Sequence, residues 1–261
     1  MDASLSSSSA LHEQVLESLG ADIVAGRLPP GTRVLTADVA ERFGASRAAL
    51  REVVRVLESM GLVEVRRRAG VEILPPARWN PYATRLIRWR LAGADRIGVL
   101  HQLSQLRSVV EPLAARLAAS AATSEQRAAL VGAVMGMVEH ARHADEGTYL
   151  EHDIAFHAAV LDASCNPFLA ALGEVIGEVL RGRTQHALMP AEANPVALRL
   201  HQDVASYIAE GRPEEAERAM AAIVAEADEA VQQLRPSSAS VEATHALNSP
   251  VNTGEAPRTL R

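Results

Sequence analysis

Apolar residues recur every three or four positions along most of the chain, which is the spacing of one face of an α-helix. The first such segment runs from Leu11 to Ala25 and stops at Gly26. From Asp95 onward every segment has this spacing, and Gly, Pro, Ser or Asn separates one segment from the next. The predicted helices cover residues 95–120, 124–143, 146–163, 167–187, 195–210 and 213–234. No alternating strand pattern interrupts them, so this part is predicted to be an all-helical bundle.

Two short segments before residue 60 have the pattern of a helix-turn-helix. Thr36–Phe43 predicts a helix that ends at Gly44, and Ser46 is placed to cap the next helix by accepting a backbone N–H. The apolar positions of this second helix form one buried stripe, made of Leu50, Val53, Val54 and Leu57. Its arginines repeat every four residues and form a row on another face, made of Arg47, Arg51 and Arg55.

The residues that follow alternate between apolar and polar, as in a two-stranded hairpin. Strands are predicted over Gly61–Val65 and Val71–Ile73, with the basic turn Arg66–Gly70 between them. On an isolated helix, a row of arginines is more often a solvated face than a binding site. Because a basic wing follows this helix, the combination favours binding to the phosphates and guanine bases of DNA. The predicted DNA-binding residues are Ser46, Arg47, Arg51, Arg55, Arg66, Arg67, Arg68 and Gly70.

The chain divides into five predicted parts. They are a disordered N-terminus over 1–10, a winged helix-turn-helix domain over 11–75, a linker with its own helix over 76–94, an all-helical domain over 95–235 and a disordered tail over 236–261. The linker begins at Pro75-Pro76, and its helix is predicted to start at Asn80-Pro81. Its apolar side consists of Tyr82, Leu86, Ile87 and Trp89. Trp79 and Trp89 are expected to seat this helix against the second domain.

Composition supports a mainly α protein. The 261 residues are 48% hydrophobic but only 3% aromatic, so the cores must be aliphatic and rich in alanine. A net charge of −6 argues against a generally basic nucleic-acid binder, yet seven arginines stand against three glutamates between Arg42 and Gly70. The single cysteine, Cys165, fits a reducing compartment. Because neither a signal peptide nor a membrane-spanning run is visible, we expect a cytoplasmic protein with no membrane partner.

Several motifs taken together resemble the GntR family of bacterial transcription regulators, and within it the FadR-type branch with an FCD ligand-binding domain. In the first domain they are Pro30-Gly31, Gly44–Arg47, Leu50–Glu52 and Gly61–Val63 leading to Gly70. In the second domain they are Arg107 with Glu111-Pro112, Asp153 with Phe156-His157, Asn166-Pro167 and His201. The resemblance covers residues 11–234. It implies an N-terminal winged helix-turn-helix domain joined to a C-terminal all-α, FCD-like bundle.

Two segments are similar to regulators of galactonate and related sugar-acid operons, namely Arg78–Asn80 with the following Leu86 and Trp89, and Glu192–Asn194 before His201. The resemblance implies a DNA-binding repressor that a small carboxylate or sugar-acid effector releases from double-stranded operator DNA. We expect a homodimer, since two-fold symmetric operators match two-fold symmetric proteins.

The first helix of the helix-turn-helix departs from the family pattern. The family commonly carries a Glu-Arg pair near the start of this helix, whereas this chain has Thr36-Ala37-Asp38. We therefore expect Arg47, Arg51 and the wing to read most of the operator.

The second domain contains a predicted metal site. Asp153 and His157 are four residues apart and lie on one helix face, where both could bind one metal ion. The family completes this site with two histidines from the last helices. His201 fills the first of these positions, but the second falls at Ile223, which cannot bind a metal. The resemblance therefore implies a divalent metal such as Zn, Ni or Mn with three protein ligands and an open position.

Three interpretations of this site stay open. In the first, a metal bound to Asp153, His157 and His201 holds a carboxylate effector with help from Arg107. In the second, the metal has been lost and the same groups bind a sugar acid directly. In the third, they form a buried polar cluster with no ligand. The predicted effector-binding residues are Arg107, Asp153, His157, Arg181 and His201, with Arg183 as a further candidate.

Arg107 itself has two interpretations. It lies four residues before Glu111, so a local ion pair between the two is one expectation. Resemblance to family members with anionic ligands favours an inward-facing anion clamp instead.

Two functions other than a transcription regulator are considered for the chain, a metal-dependent enzyme and an architectural DNA protein. A metal-dependent enzyme could use the three-ligand site, but no motif places a general base beside it, so we predict that the chain is not an enzyme. An architectural DNA protein is disfavoured by the acidic net charge and the polar cluster of the second domain.

Overall fold

The computed structural model of the chain describes residues 2–66, 70–143, 147–185 and 192–233. Arg67, Arg68 and the predicted tail over residues 236–261 lie outside these ranges. Within the described ranges, none of the helices is both long enough and apolar enough to span a bilayer.

The N-terminal part contains three helices. They are α1 (Asp2–Val24), α2 (Thr36–Phe43) and α3 (Arg47–Ser59). Both helices of the predicted helix-turn-helix are therefore present, and Gly44 ends α2 with a φ of 62° that favours glycine. However, α1 begins nine residues before Leu11, within the segment predicted to be disordered. Once a helix has nucleated, each added residue costs little, so the amphipathic part can extend into the polar residues before it.

A small antiparallel sheet follows the helix pair. The predicted wing is formed by β2 (Val63–Arg66) and β3 (Gly70–Ile73), with Val65 opposite Val71 and Arg66 opposite Gly70. A third strand, β1 (Arg33–Val34), pairs with the other edge of β3, giving the order β1-β3-β2. This strand was not predicted, because two residues are too few to show an alternating pattern.

The N-terminal helices and the sheet enclose one apolar core. Its most buried members are Val15, Leu16, Ile23, Leu50, Val53, Leu57, Leu62 and Ile73. All four residues of the predicted stripe of α3 are buried. The arginine row of α3 therefore lies on the side that this core leaves free.

The linker differs from its prediction in two respects. A 3₁₀ turn covers Pro76–Arg78, and the linker helix α4 (Thr84–Leu91) begins three residues later than expected. Tyr82 precedes the helix and is 53% exposed, so it does not belong to the apolar side. The backbone between Asn80 and Ala83 forms a turn instead, in which Ala83 N donates to Asn80 O.

The two tryptophans pack against the first domain rather than the second, contrary to the prediction. Both belong to the apolar cluster of the N-terminal helices and sheet. Trp89 donates its indole N–H to Glu17 of α1, and Trp79 donates its own to the carbonyl of Leu74. Other apolar residues of α4, Ile87 and Leu91, pack on the bundle instead. The linker helix therefore contacts both domains.

The second domain is a helical bundle. Its helices are α5 (Arg96–Ala121), α6 (Ser124–Glu139), α7 (Gly147–Ala163), α8 (Pro167–Ala170), α9 (Gly173–Gln185), α10 (Pro195–Glu210) and α11 (Pro213–Gln232). The most extensive helix–helix contact is between α5 and α11, and α7 packs against α5, α6 and α9. Buried alanines of α5, such as Ala114, Ala115 and Ala118, allow the helices to approach closely.

Two predicted helix boundaries in this bundle are wrong. The helix predicted over 124–143 ends at Glu139, where the ring Nδ1 of His140 lies 2.9 Å from the Gly136 carbonyl, and a 3₁₀ turn follows. The helix predicted over 167–187 is divided into α8 and α9 just before Gly173, a residue of low helix propensity.

Candidate functional site

The arginine row of α3 is exposed. Ser46 caps the helix, since its Oγ accepts a hydrogen bond of 3.1 Å from the Ala49 N–H. The side chains of Arg47, Arg51 and Arg55 all lie at the surface. Arg55 is paired with Glu52 at 2.6 Å, an exposed contact that contributes little and is easily exchanged for a phosphate. The geometry is thus compatible with DNA contact by all three.

The described part of the wing carries one arginine and one glycine of the predicted DNA-binding set. Arg66 is exposed but paired with Glu64 at 3.0 Å and with Glu72 at 3.3 Å. Gly70 has a φ of 83°, and a Cβ there would lie 2.8 Å from the Val34 carbonyl oxygen. Glycine is therefore required by the close approach of β1 and β3 at this position.

A cavity of about 110 Å³ lies inside the helical bundle. Five helices supply its lining, which consists of Arg107, Tyr149, Asp153, His157, Arg183, Ala197, His201, Ile223, Glu226 and Ala230, together with Ala193 and Asn194 before α10. The structure thus brings together four of the five predicted effector-binding residues.

The three predicted metal ligands converge at one side of this cavity. Asp153 Oδ1 lies 3.5 Å from His157 Nε2 and 3.3 Å from His201 Nε2. One donor atom from each residue lies within 4.8 Å of the other two. Zinc bonds of about 2.0–2.1 Å at tetrahedral angles place neighbouring donor atoms about 3.4 Å apart. These separations, and a donor set of two imidazoles and a carboxylate, therefore fit a single divalent ion.

The protein environment orients both imidazoles for this role. His201 Nδ1 lies 2.7 Å from the Ala197 carbonyl oxygen, which can only accept, so Nδ1 donates to it and Nε2 lies on the side of Asp153. His201 Nε2 is buried, and among the described residues it makes no well-directed hydrogen bond, although Asp153 Oδ1 lies 3.3 Å away, so it is placed to bind a metal ion. His157 Nδ1 lies 2.7 Å from Glu111 Oε2, off the ring N–H direction. A carboxylate behind a metal-binding histidine is a recurrent arrangement.

Electrostatics keeps the carboxylates of this region ionised. Burial alone would raise the pKa of Asp153, but the two imidazole groups outweigh it and hold that pKa well below its usual value. Burial also acts to raise the pKa of Glu111, yet Arg107 and His157 lower it to about 2. Both groups are therefore available as anions, one toward the cavity and one behind it.

Arg107 forms the predicted ion pair and also lines the cavity, so its position is compatible with both interpretations. It forms the predicted ion pair, with Nε 2.6 Å and Nη2 3.3 Å from the Glu111 carboxylate, and it is almost fully buried. It also lines the cavity, and its Nη1 atom has no hydrogen-bond partner within the described part of the chain. One nitrogen is therefore left to bind a ligand.

Of the two arginines of α9, the structure places Arg183, and not Arg181, at the cavity. Arg183 is 9% exposed, and its Nε is buried without a hydrogen-bond partner among the described residues. Burial and the nearby guanidinium of Arg107 lower its pKa. Arg181 lines a separate surface depression and pairs with Glu178 at 3.0 Å. Two residues along a helix rotate a side chain by about 200°, which explains the difference.

Comparison with known proteins identifies the family. A model described as "Bacterial regulatory proteins, gntR family" matches residues 11–73, and the "FCD domain" model matches residues 102–226. The galactonate operon transcriptional repressor of Escherichia coli (strain K12) is 32% identical over 215 residues, which are 82% of this chain and 93% of that repressor. The chain belongs to the gntR family.

Other relatives agree with this assignment. This GntR-family chain is 30% identical over 205 residues to the regulator LutR of Bacillus subtilis (strain 168), which covers 76% of this chain and 90% of that one. The probable D-xylose utilization operon transcriptional repressor of Paenarthrobacter nicotinovorans is 28% identical over 211 residues, or 79% and 82% of the two chains. The solved structure of Lar, which controls the Listeria monocytogenes agr system, shares the fold with a TM-score of 0.55 at 16% identity, covering 86% of this chain and 97% of that one.

The family resolves the choice between regulator and enzyme. The matched families and curated relatives are transcriptional regulators and not enzymes, which confirms the prediction for this chain. This GntR-family protein is therefore a transcription regulator with an FCD domain.

Four polar residues of the cavity region were not predicted from the sequence: Glu111 as a neighbour of His157, and Tyr149, Asn194 and Glu226 in the lining. Two of them could have been found from spacing. Tyr149 lies four residues before Asp153, and Glu226 lies three residues after Ile223, so each shares a helix face with a position already assigned to the site. Ile223 itself lines the cavity as an apolar wall.

Proposed function

We propose that this GntR-family regulator is a repressor that binds a two-fold symmetric operator as a homodimer and is released by a small carboxylate of the sugar-acid class. The relative named for the galactonate operon supports the sugar-acid class, and the one named for D-xylose utilization supports sugar catabolism more generally. The observation that carries the proposal is the buried cavity in which Arg107 and Arg183 each keep a nitrogen atom with no partner among the described residues, beside three residues that could hold a metal ion.

The DNA-binding half of the proposal rests on α3. Its arginine row is exposed, while the opposite stripe is buried in the core. A guanidinium group can bind phosphate oxygens or the O6 and N7 atoms of guanine with two parallel hydrogen bonds. Because a single short recognition helix reads few base pairs, two copies related by a two-fold axis are needed for a specific site.

The effector half rests on the cavity. Arg107 Nη1 and Arg183 Nε are donors without partners among the described residues, and a carboxylate would satisfy both. Asp153, His157 and His201 would hold a divalent cation, which supplies an open coordination position for a carboxylate or water oxygen. The separations between the donor atoms support this interpretation over the metal-free one.

The contacts of α9 suggest how effector binding reaches the DNA-binding domain. Arg183 faces the cavity, while its neighbour Gly182 packs on Leu91 of α4, and a Cβ there would lie 2.7 Å from the Leu91 Cδ1 atom. Glu178 of α9 binds Arg88 of α4 at 2.8 Å. An effector that pulls on Arg183 would therefore move α9 against α4.

From α4, the same displacement reaches the first domain. Arg85 binds Glu17 of α1 at 2.6 Å, and Trp89 packs on the same helix. Release would follow when the two DNA-binding domains of the dimer no longer match the spacing of the half-sites.

The DNA-binding half is tested with Arg51→Ala. An operator is selected from random duplexes with the wild-type chain, and binding is measured by fluorescence anisotropy. Because each lost bidentate contact costs about 1–3 kcal/mol, the affinity should fall by about 5- to 150-fold. Arg218→Ala, an exposed arginine of α11, is the matched control and should bind normally. Equal affinity of the Arg51→Ala chain and the wild type would contradict the proposal.

The effector half is tested with Arg183→Ala. Sugar acids such as galactonate should raise the melting temperature of the zinc-loaded chain and release it from the operator, whereas a chelator should weaken both effects. Arg183→Ala should abolish both effects, while Arg181→Ala on the same helix should keep them.

The homodimer is tested by light scattering, which should give twice the 27.8 kDa mass of one chain. A chain that binds the operator as a monomer would refute the homodimer. Equal responses of Arg183→Ala and Arg181→Ala would refute the role of Arg183 in effector binding.

A further inference from the structure

Glu226 stands at the end of the cavity where the family's fourth metal ligand is missing. It follows Ile223 by one turn of α11, and both residues line the cavity. Asn194 Nδ2 donates to Glu226 Oε1 at 3.0 Å. Asn194 is itself held in place, since its Oδ1 accepts the Val196 N–H at 2.9 Å as the cap of α10. The carboxylate is thus fixed at the mouth of a site that otherwise favours anions.

The second oxygen of Glu226 is available to a ligand. Among the described residues, Asn194 is the only hydrogen-bond partner of this carboxylate, and it uses Oε1. The carboxylate is half-buried, so a donor that replaces water at its free oxygen makes a charge-assisted hydrogen bond. Hydroxyl groups can donate in this way, and a second carboxylate cannot.

The charges around the cavity point in the same direction. Two guanidinium groups, Arg107 and Arg183, stand against three carboxylates, Glu111, Asp153 and Glu226. Without a metal, these described groups have a net charge of −1. A divalent cation bound by neutral imidazoles raises this net charge to +1. One carboxylate on the ligand then neutralises the site, whereas two would leave a buried negative charge that is costly to desolvate.

We propose that Glu226 is the specificity-determining residue of the cavity, which restricts the effector to polyhydroxylated monocarboxylates and rejects dicarboxylates. This inference rests on the proposed function and refines its effector. The ligand carboxylate lies toward Arg107, Arg183 and the metal position, and its hydroxyl groups reach the free oxygen of Glu226 on the α11 side of the same cavity. Because Ile223 is apolar, it does not bind the metal, and one coordination position stays open to the ligand.

The test compares three six-carbon acids by calorimetry on the zinc-loaded full chain. Galactonate has one carboxylate and five hydroxyl groups, galactarate has a second carboxylate, and hexanoate has no hydroxyl groups. The wild type should bind galactonate at least about tenfold more tightly than either of the others. Hexanoate lacks the hydroxyl donors for Glu226, and galactarate adds a second negative charge that the site does not neutralise.

Glu226→Gln keeps the size and the Asn194 contact but removes the negative charge. Affinity for galactonate should fall about tenfold, since hydrogen bonds to a neutral acceptor are weaker. Affinity for galactarate should rise instead, because a site with two positive charges suits a dianion. Glu229→Gln, at an exposed position of the same helix, is the matched control and should leave both affinities unchanged.

Opposite changes for the two acids support the inference. An unchanged ratio of the two affinities in Glu226→Gln, or an equal loss for both acids as expected of a purely structural role, would overturn it. If galactonate releases the wild type from DNA but the ratio does not change, the inference fails and the proposed function stands. If no acid binds the wild type, the effector half of the proposed function fails as well.

Discussion

Gly20 of α1 and the indole ring of Trp89 in α4 share one closely packed contact. A Cβ atom on Gly20 would overlap the six-membered ring of the tryptophan, so only glycine fits under it. The indole N–H of the same ring donates to Glu17, one turn earlier on α1, at 2.6 Å. The linker helix is therefore tightly packed on the DNA-binding domain at this point, as the proposed coupling from α4 to α1 requires.

Gly20→Ala should disrupt this contact. Because the ring must move out of its pocket, we expect the free energy of unfolding to fall by about 1–3 kcal/mol, the usual cost of overpacking a core. Gly132→Ala in α6 is the matched control, since nothing lies within 4 Å of its added methyl group. That variant should be neutral or more stable by up to about 1 kcal/mol. Urea unfolding measures both, and equal stabilities would disprove the close contact.

Ser46 caps α3 and is also predicted to contact DNA, and two substitutions separate these roles. Ser46→Ala removes the cap of the helix and should destabilise the protein by about 1 kcal/mol. Ser46→Asp keeps a capping oxygen and places a negative charge at the positive end of the helix, so the stability should be retained. The same charge would repel DNA phosphates. We therefore expect Ser46→Asp to have a normal melting temperature but to lose operator binding; normal binding would remove Ser46 from the interface.

The buried ion pair between Arg107 and Glu111 should be costly to break from one side. Glu111→Leu leaves the Arg107 charge buried without its partner, and we expect a loss of about 3–5 kcal/mol in urea unfolding. Adding Arg107→Met should recover most of this loss, because two apolar side chains then replace the pair.

Zinc affinity provides a second measurement on the same two variants. It should fall by about 10- to 100-fold in both, because His157 loses the carboxylate behind it. Unchanged zinc affinity in both chains would show that Glu111 has no role in orienting His157.

Ile223→His should add a fourth donor to the metal site proposed at Asp153, His157 and His201. The position is buried and lines the cavity beside the three donor residues. With four protein ligands, zinc affinity should rise by about tenfold or more, measured in competition with a coloured chelator. Carboxylate binding should weaken at the same time, because no open position remains for an oxygen atom. Ile223→Gln, which is polar but a poor zinc ligand, should show no gain; equal gains would mean that polarity alone is responsible.

Much of the fold could be predicted because the relevant signals are local. The apolar stripe of α3, the capping Ser46 and the alternation of the wing are visible within a few residues, and the structure has all three. The pair Asp153 and His157 could be assigned to one site because four residues make one helical turn. Helix ends were less certain, since Glu139 and Gly173 become boundaries through side-chain contacts and packing as well as local propensity.

Contacts between distant segments could not be predicted in this way. The position of Trp89 on α1 rather than on the bundle depends on a glycine 69 positions earlier in the chain, and no periodicity links the two. The choice between Arg181 and Arg183 required the orientation of α9 relative to α7 and α11. Glu226 became part of the site only once α11 was placed beside α10.

By itself, the sequence determined that this chain has a winged helix-turn-helix with an arginine-bearing helix and an all-helical partner domain, because propensity, capping and apolar spacing act over a few residues. It also determined the types of residue available for a metal and an anion. Only the tertiary structure decided which of those residues meet in one cavity, and through which helix that cavity contacts the DNA-binding domain. The reason is physical: the direction of a side chain is set locally, but its neighbours are set by how whole helices pack.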